Sequence, residues 1–108
     1  MPTDAEYGVE FLDWLSGLAR RLAAHDRTIY KVQYYYLAMG SWVVEVGAGK
    51  RSVIVAWDGK EFQLSAEHAV YNDGWGGHPE LRRISETTMR DASEEKIFAT
   101  AEAIILAN

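Results

Sequence analysis

The sequence predicts an α+β fold: a two-layer sandwich in which an antiparallel meander of four or five strands has N- and C-terminal helices packed on one face. Apolar residues recur at helical spacing near both ends of the chain, and they alternate with polar residues through its middle. Glycine-containing turn sequences divide that middle part into short segments. Residues 1–108 form a single domain, because a smaller piece of this cysteine-free chain would lack the disulfides that very small cores need.

The first predicted element is a helix from Thr3 to His25. Thr3 and Glu6 have the spacing of a capping box, in which both side chains accept hydrogen bonds from free backbone N–H groups. Acidic residues lie in the first turns and basic residues in the last, as the helix dipole favours. The stripe expected to face the core consists of Phe11, Leu15, Leu18 and Leu22, widened by Leu12, Trp14 and Ala19.

Between Thr28 and Ser65 the pattern changes from helical spacing to alternation. Three hairpin turns are predicted, at Ala38-Met39-Gly40, at Ala48-Gly49 and at Asp58-Gly59. The last is the strongest turn signal, because a two-residue type I′ turn needs positive φ at both positions. With these turns one face of the meander is entirely apolar or aromatic: Tyr30, Val32, Tyr34, Tyr36, Trp42, Val44, Val46, Val53, Val55, Trp57, Phe62 and Leu64.

The outer face of the meander combines polar residues with one row of apolar side chains. In the predicted register Tyr35 pairs with Val43, and Val43 pairs with Ile54. Ile54 in turn pairs with Gln63. Such a patch is typical of a contact surface, and packing of two sheets through it would give a homodimer. The alternative is that residues 66–90 cover this face. The predicted partner-binding residues are Tyr35, Leu37, Val43, Ile54 and Trp75.

The last third of the chain is expected to contain a loop, a fifth strand and the second helix. Residues 71–79 predict a loop because they are rich in glycine and include a proline. Leu81 to Glu86 predicts the strand. Asp91 and Glu94 have capping spacing, so the helix is expected from Ala92 to Ala107. Its apolar stripe consists of Ile97, Phe98, Ala101, Ile104 and Ile105.

The net charge of −5 limits the classes of molecule that are expected to bind this protein. Sixteen acidic residues outnumber eleven basic ones, and a negative surface repels phosphate groups. Neither nucleic acid nor an anionic membrane is therefore expected to bind, whereas a basic protein partner is compatible with the charge. The chain has no apolar run of about 20 residues and opens without a charged-then-apolar signal segment, so a cytoplasmic location is expected.

Few residues indicate catalysis or metal binding. The chain has no cysteine and no Gly-x-Ser-x-Gly elbow. The glycine-lysine stretch before Arg51 departs from a phosphate loop, because Arg51 stands where that motif needs a hydroxyl. His68, Asp73 and His78 are weak candidates for a metal site, since their spacing matches no zinc signature. No cofactor is expected.

These patterns favour a non-enzymatic protein-interaction module of the adaptor, chaperone or immunity/inhibitor type. The order of helix, meander and helix resembles that of secretion chaperones and toxin-immunity proteins at the level of architecture. Two alternatives stay open. One is a binder of a small molecule, with a pocket between sheet and helices rimmed by residues 71–79 and lined by Tyr30, Tyr34, Trp57 and Trp75. The other is an enzyme that uses His68 or His78.

Overall fold

The described part of the chain forms one open sheet of five antiparallel strands, with a helix before it and a helix after it. The structure is a computed structural model that describes residues 4–72 and 78–108. In chain order the elements are α1 (Asp4–Ala23), β1 (Thr28–Tyr35), a 3₁₀ turn (Tyr36–Ala38), β2 (Ser41–Ala48), β3 (Arg51–Asp58), β4 (Gln63–Val70), β5 (Glu80–Thr88) and α2 (Glu94–Ala107). The strands follow one another in space as they do in sequence, so β1 and β5 are the edges. The predicted α+β class and the fifth strand are confirmed.

Both helices cover the same face of the sheet. The rings of Phe11 in α1 and Phe98 in α2 both contact Trp42 of β2, with centroid distances of 5.7 and 6.1 Å. Helix α1 packs mainly against β1, and α2 packs against β3 and β4. Each large apolar side chain that this packing buries contributes about 1.5–3 kcal/mol. The buried residues include Phe11, Leu15, Leu18, Leu22, Trp42, Val44, Val46, Val53, Val55, Trp57, Leu64, Ile97 and Ile105.

The first helix ends before the predicted boundary at His25. Asp26 adopts a left-handed conformation with φ of 54°, and its N–H donates to the carbonyl of Ala23. The N–H of Arg27 reaches back to the carbonyl of Leu22 at 3.0 Å. These two bonds are those of a Schellman motif, which satisfies carbonyl groups that the end of a helix leaves free. The predicted Thr3–Glu6 capping box lies outside the part of the chain whose side chains are described.

All three predicted hairpin turns are wrong in detail. The connection between β1 and β2 has five residues, 36–40, instead of three. The turn between β2 and β3 consists of Gly49 and Lys50, one residue later than predicted. Asp58-Gly59 is not a type I′ turn, because neither residue has positive φ; the left-handed residue of this connection is Phe62, with φ of 54°. Instead, Oδ1 of Asp58 accepts hydrogen bonds from the N–H groups of Lys60 and Glu61. This Asx turn gives the backbone N–H groups after Asp58 a local acceptor, and it replaces the predicted two-residue turn.

The displaced turns change the pairing of the strands but not their faces. Val43 lies opposite Gln33 instead of Tyr35, and opposite Ala56 instead of Ile54. Ile54 lies opposite Glu67 instead of Gln63. Each displacement is by an even number of residues, and side chains alternate with a period of two. The predicted core face therefore remains the core face although its pairs are wrong.

A bulge in β1 removes one residue from the predicted core face. The register shifts between Ile29 and Lys31, so that Ile29 turns inward opposite Val46 and Lys31 lies opposite Glu45 on the outer face. The intervening residue, Tyr30, donates its hydroxyl to the carbonyl of Gly49 at 2.8 Å. The prediction that Tyr30 points into the core was wrong, because a bulged strand carries an extra residue that alternation does not reveal.

The second helix begins two residues later than predicted, at Glu94. Ser93, and not Asp91, caps it, since the Ser93 hydroxyl accepts a hydrogen bond from the N–H of Lys96 at 3.2 Å. Either residue type is favoured at this position, so the sequence does not distinguish them. Within the described ranges, neither α1 nor α2 combines the length and the apolar character that crossing a bilayer requires.

Gly59→Ala is expected to lower the free energy of unfolding by about 3 kcal/mol, because a Cβ at this position would overlap the backbone carbonyl oxygen of Met39. The control is Gly49→Ala, which has open space around it but a φ of +62°, and should cost about 1 kcal/mol. Urea denaturation of both variants measures the difference. Equal losses would contradict the close contact between Gly59 and Met39.

Candidate functional site

A groove of about 680 Å³ runs between the two helices. All of its lining residues come from α1 and α2, and its apolar part is formed by Trp14, Phe98, Leu106 and two alanines. The rings of Trp14 and Phe98 are stacked, with a centroid distance of 4.8 Å and an interplanar angle of 11°. Stacked aromatic rings present a broad and rigid apolar surface to a bound molecule. The groove is therefore a preformed site with an aromatic floor.

Four carboxylates border this floor: Glu10, Asp13, Glu95 and Glu102. Glu102 is neutralised, because both of its oxygens accept hydrogen bonds of 2.6 Å from the guanidinium of Arg21. It also accepts a bond of 3.2 Å from Nε1 of Trp14, which holds the indole in place. The other three carboxylates form no ion pair with a described residue. The groove consequently combines an apolar floor with uncompensated negative charge.

Sequence spacing explains why these residues meet. On α1, Glu10 and Trp14 are four positions apart, and on α2 Phe98 and Glu102 have the same separation, so each aromatic ring lies next to a carboxylate on its own helix. Each ring stands at the border of its helix's buried stripe and not at the centre. Where α1 and α2 lie side by side on the sheet, the two borders face each other.

A pair of acidic side chains marks one end of the groove. Burial, together with a hydrogen bond to Glu10 and its negative charge, raises the pKa of Glu94 to about 7. Its Oε2 atom is buried and has no hydrogen-bond partner among the described residues. Beside it lies a cavity of about 40 Å³, bordered by Trp42 and Trp57. A carboxyl group in such apolar surroundings keeps its proton to an unusually high pH.

A second acidic side chain is buried on the outer face of the sheet, opposite the helices. Glu45 is 7% exposed, and its Oε2 accepts hydrogen bonds from Ser52 at 2.6 Å and from Tyr71 at 2.7 Å. Tyr71 is held by a further bond from its N–H to the carbonyl of Lys50. The hydrogen bond to Glu45, with burial and the carboxylate charge, raises the pKa of Tyr71 to about 12.

The predicted contact row on the outer face is not formed. Val43 and Ile54 are both half-buried, but Ile54 lies between Glu45 and Glu67 and has no apolar cross-strand partner there. Tyr35 and Leu37 are exposed near the edge of the sheet. The alternative prediction, that residues 66–90 cover the outer face, is wrong, because residues 66–70 and 80–88 are strands of the sheet itself. Trp75 lies outside the described residues, and its role stays a prediction.

The predicted ligand pocket between sheet and helices is filled by the core where it is described. Tyr34 and Trp57 border the cavity of about 40 Å³, which has room for about one water molecule. Tyr30 belongs to the outer side of the sheet because of the bulge in β1. Trp75, the fourth residue predicted to line this pocket, lies outside the described part of the chain.

The histidines do not come together. His68 is half-buried in β4 opposite Val53 and Arg82, whereas His78 is exposed just before β5. Asp73 lies outside the described residues, so the three-residue metal site stays a prediction. Among the residues that are described, no three His, Asp or Glu side chains are grouped as metal ligands.

Comparison of the chain with known protein families, with curated proteins and with solved structures finds no match. The functional argument therefore depends on the groove between the helices. The sequence predicted that Trp14 and Phe98 belong to apolar stripes, but it did not predict that their rings stack on each other. The detectable signal was an aromatic residue four positions from a glutamate in each helix.

Glu94→Gln is expected to flatten the dependence of stability on pH. The folded-state pKa near 7 lies above the ordinary value of 4.5, so Glu94 stabilises the fold fully below pH 4.5 and loses this contribution as the pH rises through 7. Glutamine cannot ionise, and the unfolding free energy of the variant should fall less over this range. Urea denaturation across the range measures it, with Glu95→Gln as a control that removes a carboxylate from the same helical turn. A variant that keeps the wild-type slope would contradict the assignment.

Tyr71→Phe is expected to lower the free energy of unfolding at neutral pH by about 2 kcal/mol, because Glu45 loses one of its two hydroxyl donors. In the wild type, this hydroxyl stabilises the fold below pH 10 and ceases to do so as the pH rises through 12. The control is Tyr35→Phe, whose exposed hydroxyl donates to Gln33. Denaturation and ultraviolet titration measure both effects. Identical losses in the two variants would argue against the buried contact.

Proposed function

We propose that the chain is a non-enzymatic interaction module that binds a basic, apolar segment of a partner protein in the groove between α1 and α2. The observation that carries the proposal is the stacked pair Trp14–Phe98, bordered by the carboxylates of Glu10, Asp13 and Glu95. An adaptor, a chaperone and an inhibitor all act through such a surface, and the proposal covers these three roles.

The chemistry of the groove supports an occupant that is both apolar and cationic. The aromatic floor, together with Leu106, favours burial of aliphatic or aromatic side chains. Lysine and arginine side chains place their alkyl stems on such a floor while their charged ends reach the carboxylates at the rim. A cation above an indole ring gains a further attraction. A negatively charged segment would meet uncompensated carboxylates and be rejected.

The shape of the groove supports a helical segment. Two helices that lie side by side leave a groove into which the side chains of a third helix pack, with anchors at spacings of three and four residues. The side chains that form the site are held before binding: Trp14 by its hydrogen bond to Glu102, and Glu102 by its ion pair with Arg21. Preorganisation of this kind reduces the entropy lost on association. The net charge of −5 also favours the approach of a basic partner.

A short amphipathic helical peptide of leucine and lysine is expected to bind, and its counterpart of leucine and glutamate is not. The double variant Asp13→Asn/Glu95→Gln should weaken binding of the basic peptide about tenfold, or ~1.4 kcal/mol, because it removes two uncompensated charges from the rim. Fluorescence anisotropy of labelled peptides measures the affinity, and the affinity should fall with added salt.

The matched control is Glu67→Gln/Glu80→Gln, which removes the same charge from strands β4 and β5, away from the groove. It should leave binding within about twofold of the wild type. Equal weakening by both double variants would show that the peptide responds to net charge and not to the groove. Comparable binding of the leucine–glutamate peptide would overturn the proposed selectivity.

A further inference from the structure

The exposed large apolar side chains are concentrated on one side of the molecule. Eight such residues are exposed among those described, and six of them belong to α1, to β1 or to the connection between β1 and β2. Leu37 is 84% exposed and Leu12 is 61% exposed, values that are unusual for leucine. We call this set the edge surface: Val9, Leu12, Val32, Tyr35, Leu37 and Met39.

The packing of α1 explains why these residues share a side. Trp14 marks the flank of α1 that faces α2, and α2 lies over β3 and β4. Leu12 stands on the opposite flank of the buried stripe, which faces the free edge of the sheet. Val32, on the helix side of the edge strand, is 40% exposed, because no further strand or helix of the described chain covers it. The helix flank and the strand edge thus form neighbouring parts of one surface.

The edge surface differs from the groove in charge. The flank of α1 next to the edge is formed by Gly8, Val9, Leu12, Ser16 and Ala19, and it contains no ionisable side chain. The flank next to α2 carries Glu10 and Asp13. A chain with a net charge of −5 repels its own copies, so self-association requires a surface from which the acidic residues are absent. The six residues of the edge surface meet this requirement, and the charged side chain that adjoins them in β1 is the basic Lys31, on the outer face of the sheet.

We propose that the occupant of the edge surface is a second copy of this chain, joined by antiparallel pairing of the two β1 strands around a two-fold axis. Beyond the bulge, β1 is regular from Lys31 to Tyr35, and the centre of this stretch is Gln33. An axis at Gln33 brings Val32 opposite Tyr34 of the second copy, a β-branched–aromatic pair that stabilises antiparallel strands. The same register places Lys31 opposite Tyr35 of the second copy and keeps the two lysines apart.

The distance between the two α1 helices of the proposed dimer is compatible with this arrangement. Phe11 of α1 contacts Tyr34 in β1 and Trp42 in β2, so the turn of α1 that carries Phe11 lies over the boundary between these strands. Two such helices related by the axis are separated by about two strand spacings, or roughly 10 Å. This is the usual distance between packed helices, and it allows Leu12 of each copy to contact the other. The sheet becomes continuous through both copies, and each groove between α1 and α2 stays open on the far flank of α1.

The wild-type protein is expected to be a dimer at micromolar concentration in sedimentation velocity experiments. Leu12→Lys should raise the dissociation constant of the dimer at least tenfold while the protein stays folded, because Leu12 is exposed and lysine is a good helix former. Val32→Lys should act in the same direction from the strand. The matched control is Leu81→Lys, at a comparably exposed leucine on the opposite edge strand β5, which should leave the dimer intact. Circular dichroism checks the fold of each variant.

Four outcomes would overturn the proposal. A wild-type protein that is monomeric at high micromolar concentration excludes the dimer. Dissociation by Leu81→Lys but not by Leu12→Lys places the contact on the other edge, and dissociation by Ile54→Lys alone places it on the outer face of the sheet. A dimer in which the amides of Lys31 to Tyr35 exchange as fast as in the Leu12→Lys variant would lack the strand pairing. Protection of these amides in the wild type alone supports the pairing.

Discussion

Contact among four aromatic rings holds the sheet and the two helices of this protein together. Phe11 and Trp14 come from α1, Trp42 from β2 and Phe98 from α2, and the centroid distances between them range from 4.8 to 6.4 Å. The apolar face of the meander needs a cover, and neither helix alone is wide enough to provide one. The rings join both helices to the sheet and to each other. Trp14 and Phe98 stack on the solvent side of this cluster, and their rings form the floor of the groove between the helices.

Helix α1 consequently has three different sides. One side is buried against the sheet, one faces α2 with acidic residues and Trp14, and one faces the free edge with apolar and small residues. The acidic side belongs to the groove proposed for a basic segment, and the neutral side belongs to the surface proposed for a second copy. Because the two sides are on opposite flanks of one rigid helix, occupation of one leaves the other accessible.

Two acidic residues, Glu45 and Glu94, differ in the partners that surround their carboxyl groups. Glu45 receives hydrogen bonds from two hydroxyl groups, so its charge is compensated on the outer face of the sheet. Within residues 4–72 and 78–108, Oε2 of Glu94 is buried without a hydrogen-bond partner, and a second carboxyl group, Glu10, lies beside it. Its pKa therefore rises to about 7, and the charge at that end of the groove changes near neutral pH.

The sequence by itself determined the fold class, the two helices and the inward face of most strands. Periodicity decides these features, since alternation with a period of two survives any shift of the strand pairing by an even number of residues. Only the tertiary structure decided the register of Val43 and Ile54, the bulge at Tyr30 and the turn after Asp58. A bulge or an Asx turn depends on which backbone groups find partners, and no spacing rule encodes that choice. The groove likewise required the structure, because Trp14 and Phe98 belong to opposite ends of the chain and meet only when both helices cover the same face.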